Sequence, residues 1–270
     1  MSDVDKSVDM AWAMQPLRKP VICAAIEALG LASGSRGLDA GCGIGLQTLL
    51  LAEAVGQAGH VTALDLSPEL LLHAEEAVRE AGLSERISLR QGDVRQLPFD
   101  AKAFDWAWSS DCVGYAPMEP LPLVRELARV VKPGGPVVVL AWSSEKLLPG
   151  HPLLEAHLNA TASGIAPFVA GENPESHVLR ALGWFRDAGL EAATARTFAG
   201  DAQAPLTAEV RRALIALFEM RWAGVASELT PDDRAAFQRL CLPDSPDFVV
   251  DRPDYYAFFT YSMFCARVAP

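Results

Sequence analysis

At 270 residues, half of them apolar and 21% charged, the chain has ample material for a large core and no low-complexity stretch, which excludes a disordered or fibrous protein. A net charge of −11 without any cluster of Lys and Arg argues against nucleic-acid and membrane partners, because neutralising phosphates takes concentrated positive charge. No apolar run reaches membrane-spanning length, the first nine residues are acidic and polar, and the cysteines Cys23, Cys42, Cys112, Cys241 and Cys265 have neither metal-binding spacing nor an even count, so a cytoplasmic protein with reduced thiols and no metal is expected.

Residues 10–29 carry Val21, Ile22, Ala25, Ile26 and Leu29 at helical spacing before Gly30 and predict a helix. Residues 37–40 predict a short buried strand, and Gly41, Gly43 and Gly45 lead from it into a helix over 46–55. A second strand, 61–66, is closed by Ser67-Pro68-Glu69, suited to the N-cap and first helical positions of a helix that runs to Ala81 and stops at Gly82. A third strand, 87–91, precedes Gly92-Asp93, and a fourth, 104–110, precedes a helix over about 121–131. The turn Lys132-Pro133-Gly134-Gly135 introduces a fifth strand, 136–142. Strands alternating with helices at this spacing predict a doubly wound α/β fold, since parallel neighbours require crossovers.

In the second half, residues 176–188 predict a helix, 191–198 a strand, and 255–268 a long aromatic-rich strand. The stretches 143–175 and 201–253 exceed what a sheet needs, and the latter contains helices near 208–226 and 231–240. Insertions at loop ends commonly serve as lids, so both are expected to recognise substrate. The expected organisation is one domain: a helical cap (1–30), a cofactor core (31–142), two lid insertions (143–175 and 201–253) and a terminal strand (254–270).

The strongest local signal is Asp39-Ala40-Gly41-Cys42-Gly43-Ile44-Gly45. Glycines at alternate positions let backbone approach a ligand closely, and the following helix offers N–H groups at its start. Asp65 ends the second strand, where a carboxylate can accept both hydroxyl hydrogens of a ribose, and Asp93 follows the third strand at the same edge. A dinucleotide fingerprint would place its third glycine one residue later, and Asp39 would repel a pyrophosphate; an ammonium or sulfonium ligand suits it better than NAD or FAD.

Leu38-Asp39-Ala40-Gly41-Cys42-Gly43-Ile44-Gly45, Leu64-Asp65-Leu66-Ser67, Gly92-Asp93-Val94, Phe104-Asp105 and Leu127-Ala128-Arg129-Val130-Val131-Lys132-Pro133-Gly134-Gly135 together resemble the successive motifs of class I S-adenosylmethionine-dependent methyltransferases, in pattern nearest the ubiquinone/menaquinone-biosynthesis type. The resemblance runs from about Gly37 to Trp142 and returns at Phe185-Arg186-Asp187-Ala188-Gly189-Leu190. It implies a Rossmann-like, seven-stranded, mostly parallel sheet with the last strand antiparallel, and S-adenosylmethionine as cofactor. It further implies that Gly41, Gly43 and Gly45 line the methionine and ribose, with Asp39 near the methionine amino group through water. Asp65 would bind the ribose hydroxyls, Leu66 pack on adenine, Asp93 accept from the adenine amino group, the Val94 N–H meet a ring nitrogen, and Ser110 reach the methionine moiety.

Methyl transfer from a sulfonium extinguishes charge, so an enclosed pocket and fixed approach geometry supply much of the acceleration, and a base is needed only if the acceptor must lose a proton. Tyr115 and His151 lie in positions suited to that role, each with a plain structural alternative: a wall residue and a capping or surface residue. Trp106, Trp108, Phe258, Phe259, Tyr261 and Phe264 read as core, whereas Phe168, Trp184, Phe218 and Trp222 are residues that an apolar pocket could use. The expected partner is a small, apolar or aromatic methyl acceptor. Ser110-Asp111-Cys112-Val113 is similar to one cysteine-bearing segment of arsenite methyltransferases, which leaves a thiol-dependent enzyme as an alternative beside a catalytically inactive S-adenosylmethionine-binding protein. A nucleic-acid methyltransferase would carry an Asn-Pro-Pro-Tyr type of sequence where Ser-Asp-Cys-Val stands, and a nucleotide-dependent oxidoreductase would bind NAD.

Overall fold

The computed structural model describes residues 3–113, 118–165 and 173–270. In chain order the elements are α1 (Asp3–Ala13), α2 (Gln15–Leu29), β1 (Arg36–Ala40), α3 (Leu46–Ala54), β2 (His60–Asp65), α4 (Pro68–Glu80), β3 (Ile87–Gln91), β4 (Trp106–Ser110), α5 (Pro120–Val130), β5 (Pro136–Lys146), α6 (Pro152–Asn159), α7 (Ala162–Ile165), α8 (Ala181–Asp187), β6 (Glu191–Gln203), α9 (Ala208–Trp222), α10 (Pro231–Cys241) and β7 (Tyr256–Arg267).

The strands form one seven-stranded sheet in the order β3-β2-β1-β4-β5-β7-β6. Neighbours from β3 to β5 pair in parallel, while β7 runs antiparallel to both β5 and β6. This is the expected Rossmann-like doubly wound sheet with its last strand reversed. Strand order turns back between β1 and β4, and in open α/β sheets a crevice forms at the carboxyl ends of the strands flanking such a switch.

β5 is buried through Val137, Val138, Val139, Leu140 and Ala141, as a central strand covered on both faces requires. Alternation sorts the core into two layers: Trp106 and Trp108 enter a cluster with α2, α3 and α9, while Ala107 between them joins a cluster with α5 and α8. Both indoles are satisfied, Trp106 Nε1 donating to Ser35 Oγ at 3.0 Å and Trp108 Nε1 to Gln47 Oε1 at 3.0 Å. Trp184, Phe218 and Trp222 also belong to the core, and Phe168 lies outside the described residues.

Several boundaries differ from expectation. The predicted helix over 10–29 is two helices broken at Met14, because Pro16 at the start of α2 has no N–H with which to continue the helical ladder. The fourth strand begins at Trp106, with Phe104 making only an isolated bridge to Val131. β5 runs on to Lys146 and β6 to Gln203, since the long β7 offers both a partner beyond the parallel half; each insertion therefore begins later than predicted. The predicted helix 176–188 is helical only from Ala181. Upstream, Asn173 Oδ1 accepts from Glu175 N at 3.0 Å and His177 Nδ1 from Leu179 N at 3.2 Å, and these local bonds favour two 3-10 turns.

Candidate active site

The glycine turn is pinned to the end of β2, where the Gly41 and Cys42 N–H groups both donate to the Leu64 carbonyl, at 2.8 and 3.0 Å. Gly41 has φ +81° and a Cβ placed on it would lie 2.5 Å from Cys112 Sγ, so conformation and space both demand glycine there. Gly45, also left-handed, is the residue that starts α3 and aims that helix's first N–H groups back toward the turn.

Asp65 links strand and turn. Its Oδ2 accepts from Gly43 N at 2.8 Å and its Oδ1 from Ser67 N at 3.0 Å, which fixes the carboxylate at the sheet edge. Leu66 beside it is 61% exposed, an apolar side chain held open next to the turn. On the neighbouring strand, Asp65 pairs with Gln91 and its carbonyl accepts from Gly92 N at 2.9 Å, which brings Asp93 and the buried Val94 to the same edge. Asp93 forms the turn that follows: Oδ1 accepts from Arg95 N at 2.8 Å, and both oxygens take the Arg95 guanidinium, which holds this carboxyl below the usual range.

Beneath the turn, Asp39 is buried and accepts from Thr48 Oγ1 at 2.7 Å. Burial pushes its carboxyl up to about 7; the Thr48 hydrogen bond lowers it, and the charge of Asp65 raises it further. Gln47, in the first turn of α3, donates from Nε2 to Ser110 Oγ at 2.9 Å and so joins β4 to the glycine turn.

Two cavities open at this edge. The first, about 380 Å³, is lined by Asp39, Gly41, Cys42, Gly43, Ile44, Leu46, Gln47, Ser110 and Asp111 from the sheet side and by Ser7, Ala11 and Arg18 from α1 and α2. The second, about 470 Å³, shares Ser7, Ala11, Arg18 and Asp111 with it and continues between Lys6, Met10, Met14, Trp142, Met220, Arg221 and Tyr261. At their common wall Arg18 Nη2 is paired with Asp111 Oδ2, Arg18 Nε donates to Tyr261 Oη at 2.6 Å, and Tyr261 Oη donates to Asp111 Oδ2 at 3.2 Å. The Trp142 N–H completes the set on Asp111 Oδ1 at 3.0 Å, and together these bonds hold Asp111 in a left-handed conformation, φ +49°. Behind Arg221 and Trp142 of this lining, buried Glu145 accepts from Arg221 Nε at 2.7 Å and from Trp142 Nε1 at 2.5 Å.

The structure thus brings Gly41, Gly43, Gly45, Asp65, Leu66, Asp93 and Val94 to one edge, and sets Asp39, Gly41, Gly43 and Ser110 in the lining of the first cavity. Asp65 and Asp93 lie beside that cavity rather than in its lining. Tyr115 lies outside the described residues. His151 stands at the start of α6 and lines neither cavity. Among the described residues the first insertion contributes no side chain to either cavity, and the second contributes only Met220 and Arg221. Both cavities are also lined by the N-terminal helices, through Ser7, Ala11 and Arg18. Sequence reasoning missed Arg18, Gln47, Asp111 and Tyr261. Asp111 could have been found from its place directly after Ser110 at the edge of β4.

A switch-point crevice, a glycine turn entering a helix and a carboxylate on the next strand define a nucleoside-binding α/β protein of the methyltransferase type. The family described as Methyltransferase domain matches residues 38–135. Over 119 residues the chain is 35% identical to demethylmenaquinone methyltransferase of Bacillus subtilis (strain 168), covering 44% of this chain and 50% of that protein. It is 34% identical over 164 residues to phosphatidylethanolamine N-methyltransferase of Cereibacter sphaeroides, covering 61% of this chain and 70% of that protein. The chain spans about half the length of the demethylmenaquinone methyltransferases it matches. A putative methyltransferase of Bacillus halodurans C-125 shares the fold at TM-score 0.55 and 19% identity, over 92% of this chain and 99% of that one. The cyclase SpnF shares it at 0.54 and 21% identity, over 92% and 81%.

The chain belongs to the class I S-adenosylmethionine-dependent methyltransferases, and its cofactor-binding half is of the menaquinone-biosynthesis-like kind. S-adenosylmethionine is the cofactor of this family, and the first cavity fits its amino-acid end: Asp39 offers a carboxylate for an ammonium, and the Gly41–Gly45 turn leaves the backbone open to approach. Bound there, it supplies a methyl group activated by a sulfonium. Among the described residues no helix is long and apolar enough to cross a membrane.

Proposed function

We propose that the chain acts as one catalytic unit that transfers the methyl group of S-adenosylmethionine to a small apolar or aromatic metabolite. One observation carries this: the cavity at the glycine turn shares a wall, Ser7, Ala11, Arg18 and Asp111, with a second chamber lined by Met10, Met14, Trp142, Met220 and Tyr261. A chamber of that size and lining takes a small molecule with an apolar body, and two of its charged residues, Arg18 and Asp111, stand where the two spaces meet. Asp111, gripped by Arg18, Tyr261 and the Trp142 N–H, is a fixed hydrogen-bond acceptor, with both its oxygens already taken by donors of the protein. That suits an acceptor atom that is already nucleophilic near neutral pH. Asp39, Asp65, Leu66, Asp93, Val94, Ser110 and the three glycines retain in this proposal the cofactor roles the family resemblance gives them.

The thiol-dependent alternative has less support. Burial pushes the Cys112 thiol up to about 11 and raises Cys42 as well, so both are held as poorly nucleophilic thiols. The cyclase among the fold's relatives shows why turnover must be measured, since the fold alone does not dictate methyl transfer.

Calorimetry with S-adenosylhomocysteine tests the cofactor half: micromolar binding by the native chain and a loss of at least tenfold in Asp65→Ala are expected. Incubation with methyl-labelled S-adenosylmethionine and a panel of phenols, amines and enolisable ketones tests the other half. Binding without label transfer to any acceptor would support a non-catalytic cofactor-binding protein and defeat this proposal.

A further inference from the structure

The amino-acid end of S-adenosylmethionine carries two opposite charges, and the residues assigned to the cofactor so far answer only one of them. Gly41, Gly43, Gly45, Asp39, Asp65, Asp93 and Ser110 include three acids and no base. A carboxylate leaving water for a half-enclosed cavity requires a compensating donor set, best supplied by a guanidinium, whose planar fork matches its two oxygens.

Among the described residues lining the first cavity, Arg18 is the one cationic side chain, facing the acids Asp39 and Asp111. It comes from α2, whereas Asp39 and Gln47 of the same lining come from β1 and α3. Its head group is not left to wander: Nε is fixed on Tyr261 Oη at 2.6 Å and Nη2 on Asp111, and Asp111 is fixed in turn by the Trp142 N–H. A guanidinium anchored on Tyr261 of β7 and on Asp111 just past β4 loses little freedom on gaining a ligand, which is what preorganised recognition requires.

We infer that Arg18 recognises the α-carboxylate of the cofactor, with Asp111 and Tyr261 as the positioning residues that aim it, so that α2 completes the cofactor site as well as walling the acceptor chamber. This rests on the cofactor reading above and adds to it a residue outside every motif that marks the family in the sequence. Its physical consequence is that the charges of the bound amino-acid end are sorted across the cavity, ammonium toward Asp39 and carboxylate toward Arg18.

Three nucleosides separate the contributions when titrated calorimetrically into native, Arg18→Ala and Arg18→Lys proteins. S-adenosylhomocysteine has the whole amino-acid end, decarboxylated S-adenosylmethionine has the ammonium only, and methylthioadenosine has neither. Arg18→Ala should weaken S-adenosylhomocysteine between about 10- and 100-fold, the range for a charged hydrogen-bonded partner, and change the other two by less than about threefold. Arg18→Lys should recover part of the loss, since it restores charge without the fork, and it serves as the decisive variant should Arg18→Ala fail to fold. Equal losses for all three nucleosides in a folded variant, or no loss for any, would overturn the inference; the latter result would leave the carboxylate to the first turn of α3. Failure of the native protein to bind any of the three would instead strike the cofactor reading itself.

Discussion

Replacing Asp39 by Asn tests the electrostatics of the site without changing its shape. The amide is nearly isosteric and its oxygen can still accept from Thr48 Oγ1, as Asp39 Oδ2 does at 2.7 Å. Burial holds the Asp39 carboxyl at about 7, against 3.8 for an unperturbed aspartate. The folded state therefore keeps a proton that the unfolded chain has already lost between about pH 4 and pH 7, and stability falls as pH rises through that window. A difference of that size corresponds to about 4 kcal/mol, lost in full above the folded-state value. Urea unfolding without cofactor at pH 5 and pH 8 should show Asp39→Asn gaining on the native protein by up to that amount at the higher pH and much less at the lower. Binding adds a second signature. If the cofactor's ammonium lies against Asp39, it favours the ionised carboxylate, so the native protein should release a proton on binding S-adenosylhomocysteine near pH 6.5, seen as buffer-dependent heats, and Asp39→Asn should not. Parallel stability curves for the two proteins from pH 5 to pH 8 would refute the reasoning, because they would mean that Asp39 titrates as an ordinary exposed acid.

Gly41→Ala should cost about 2–4 kcal/mol in urea unfolding and abolish cofactor binding, because it combines a left-handed backbone with a contact of 2.5 Å to Cys112 Sγ. Gly43→Ala, with φ +55° but open space around the added methyl, should cost only about 1 kcal/mol. Arg221→Met should destabilise by about 3–5 kcal/mol, since it strands Glu145, and both side chains of this pair are 2% exposed. Adding Glu145→Gln should recover at least half of that loss, because the amide carries no charge yet still accepts from Trp142 Nε1; no recovery would show that the cost lay in packing rather than in the buried charge.

What was legible in the sequence had a local cause. The Gly41-Cys42-Gly43-Ile44-Gly45 turn, the Ser67-Pro68 helix start and the carboxylates Asp65 and Asp93 are each set by a few consecutive residues whose backbone chemistry allows little else. Strand alternation likewise announced the parallel sheet, and the resemblance carried its reversed last strand. Arg18 and Tyr261 had no such mark. On an amphipathic helix Arg18 reads as a solvated residue, and in an aromatic strand Tyr261 reads as packing; only the fold brings them together on Asp111, across 243 residues of chain. Met10 and Met14 show the same limit, because a helical apolar stripe records that a face avoids water without recording whether protein or ligand covers it. Extra length in the insertions signals only that a segment is not needed by the sheet, and one face of α9 joins the core through Ala213, Leu214, Leu217, Phe218 and Trp222.

Last in chain order, β7 nevertheless occupies the gap between β5 and β6. As the polypeptide leaves the ribosome, the glycine turn and its three flanking strands are complete long before Tyr261 is made, so the nucleoside half can assemble while two long strand edges still await their shared neighbour. The chamber is closed by a residue synthesised after both neighbouring strands, and a chain stalled before it would present unpaired edges prone to association.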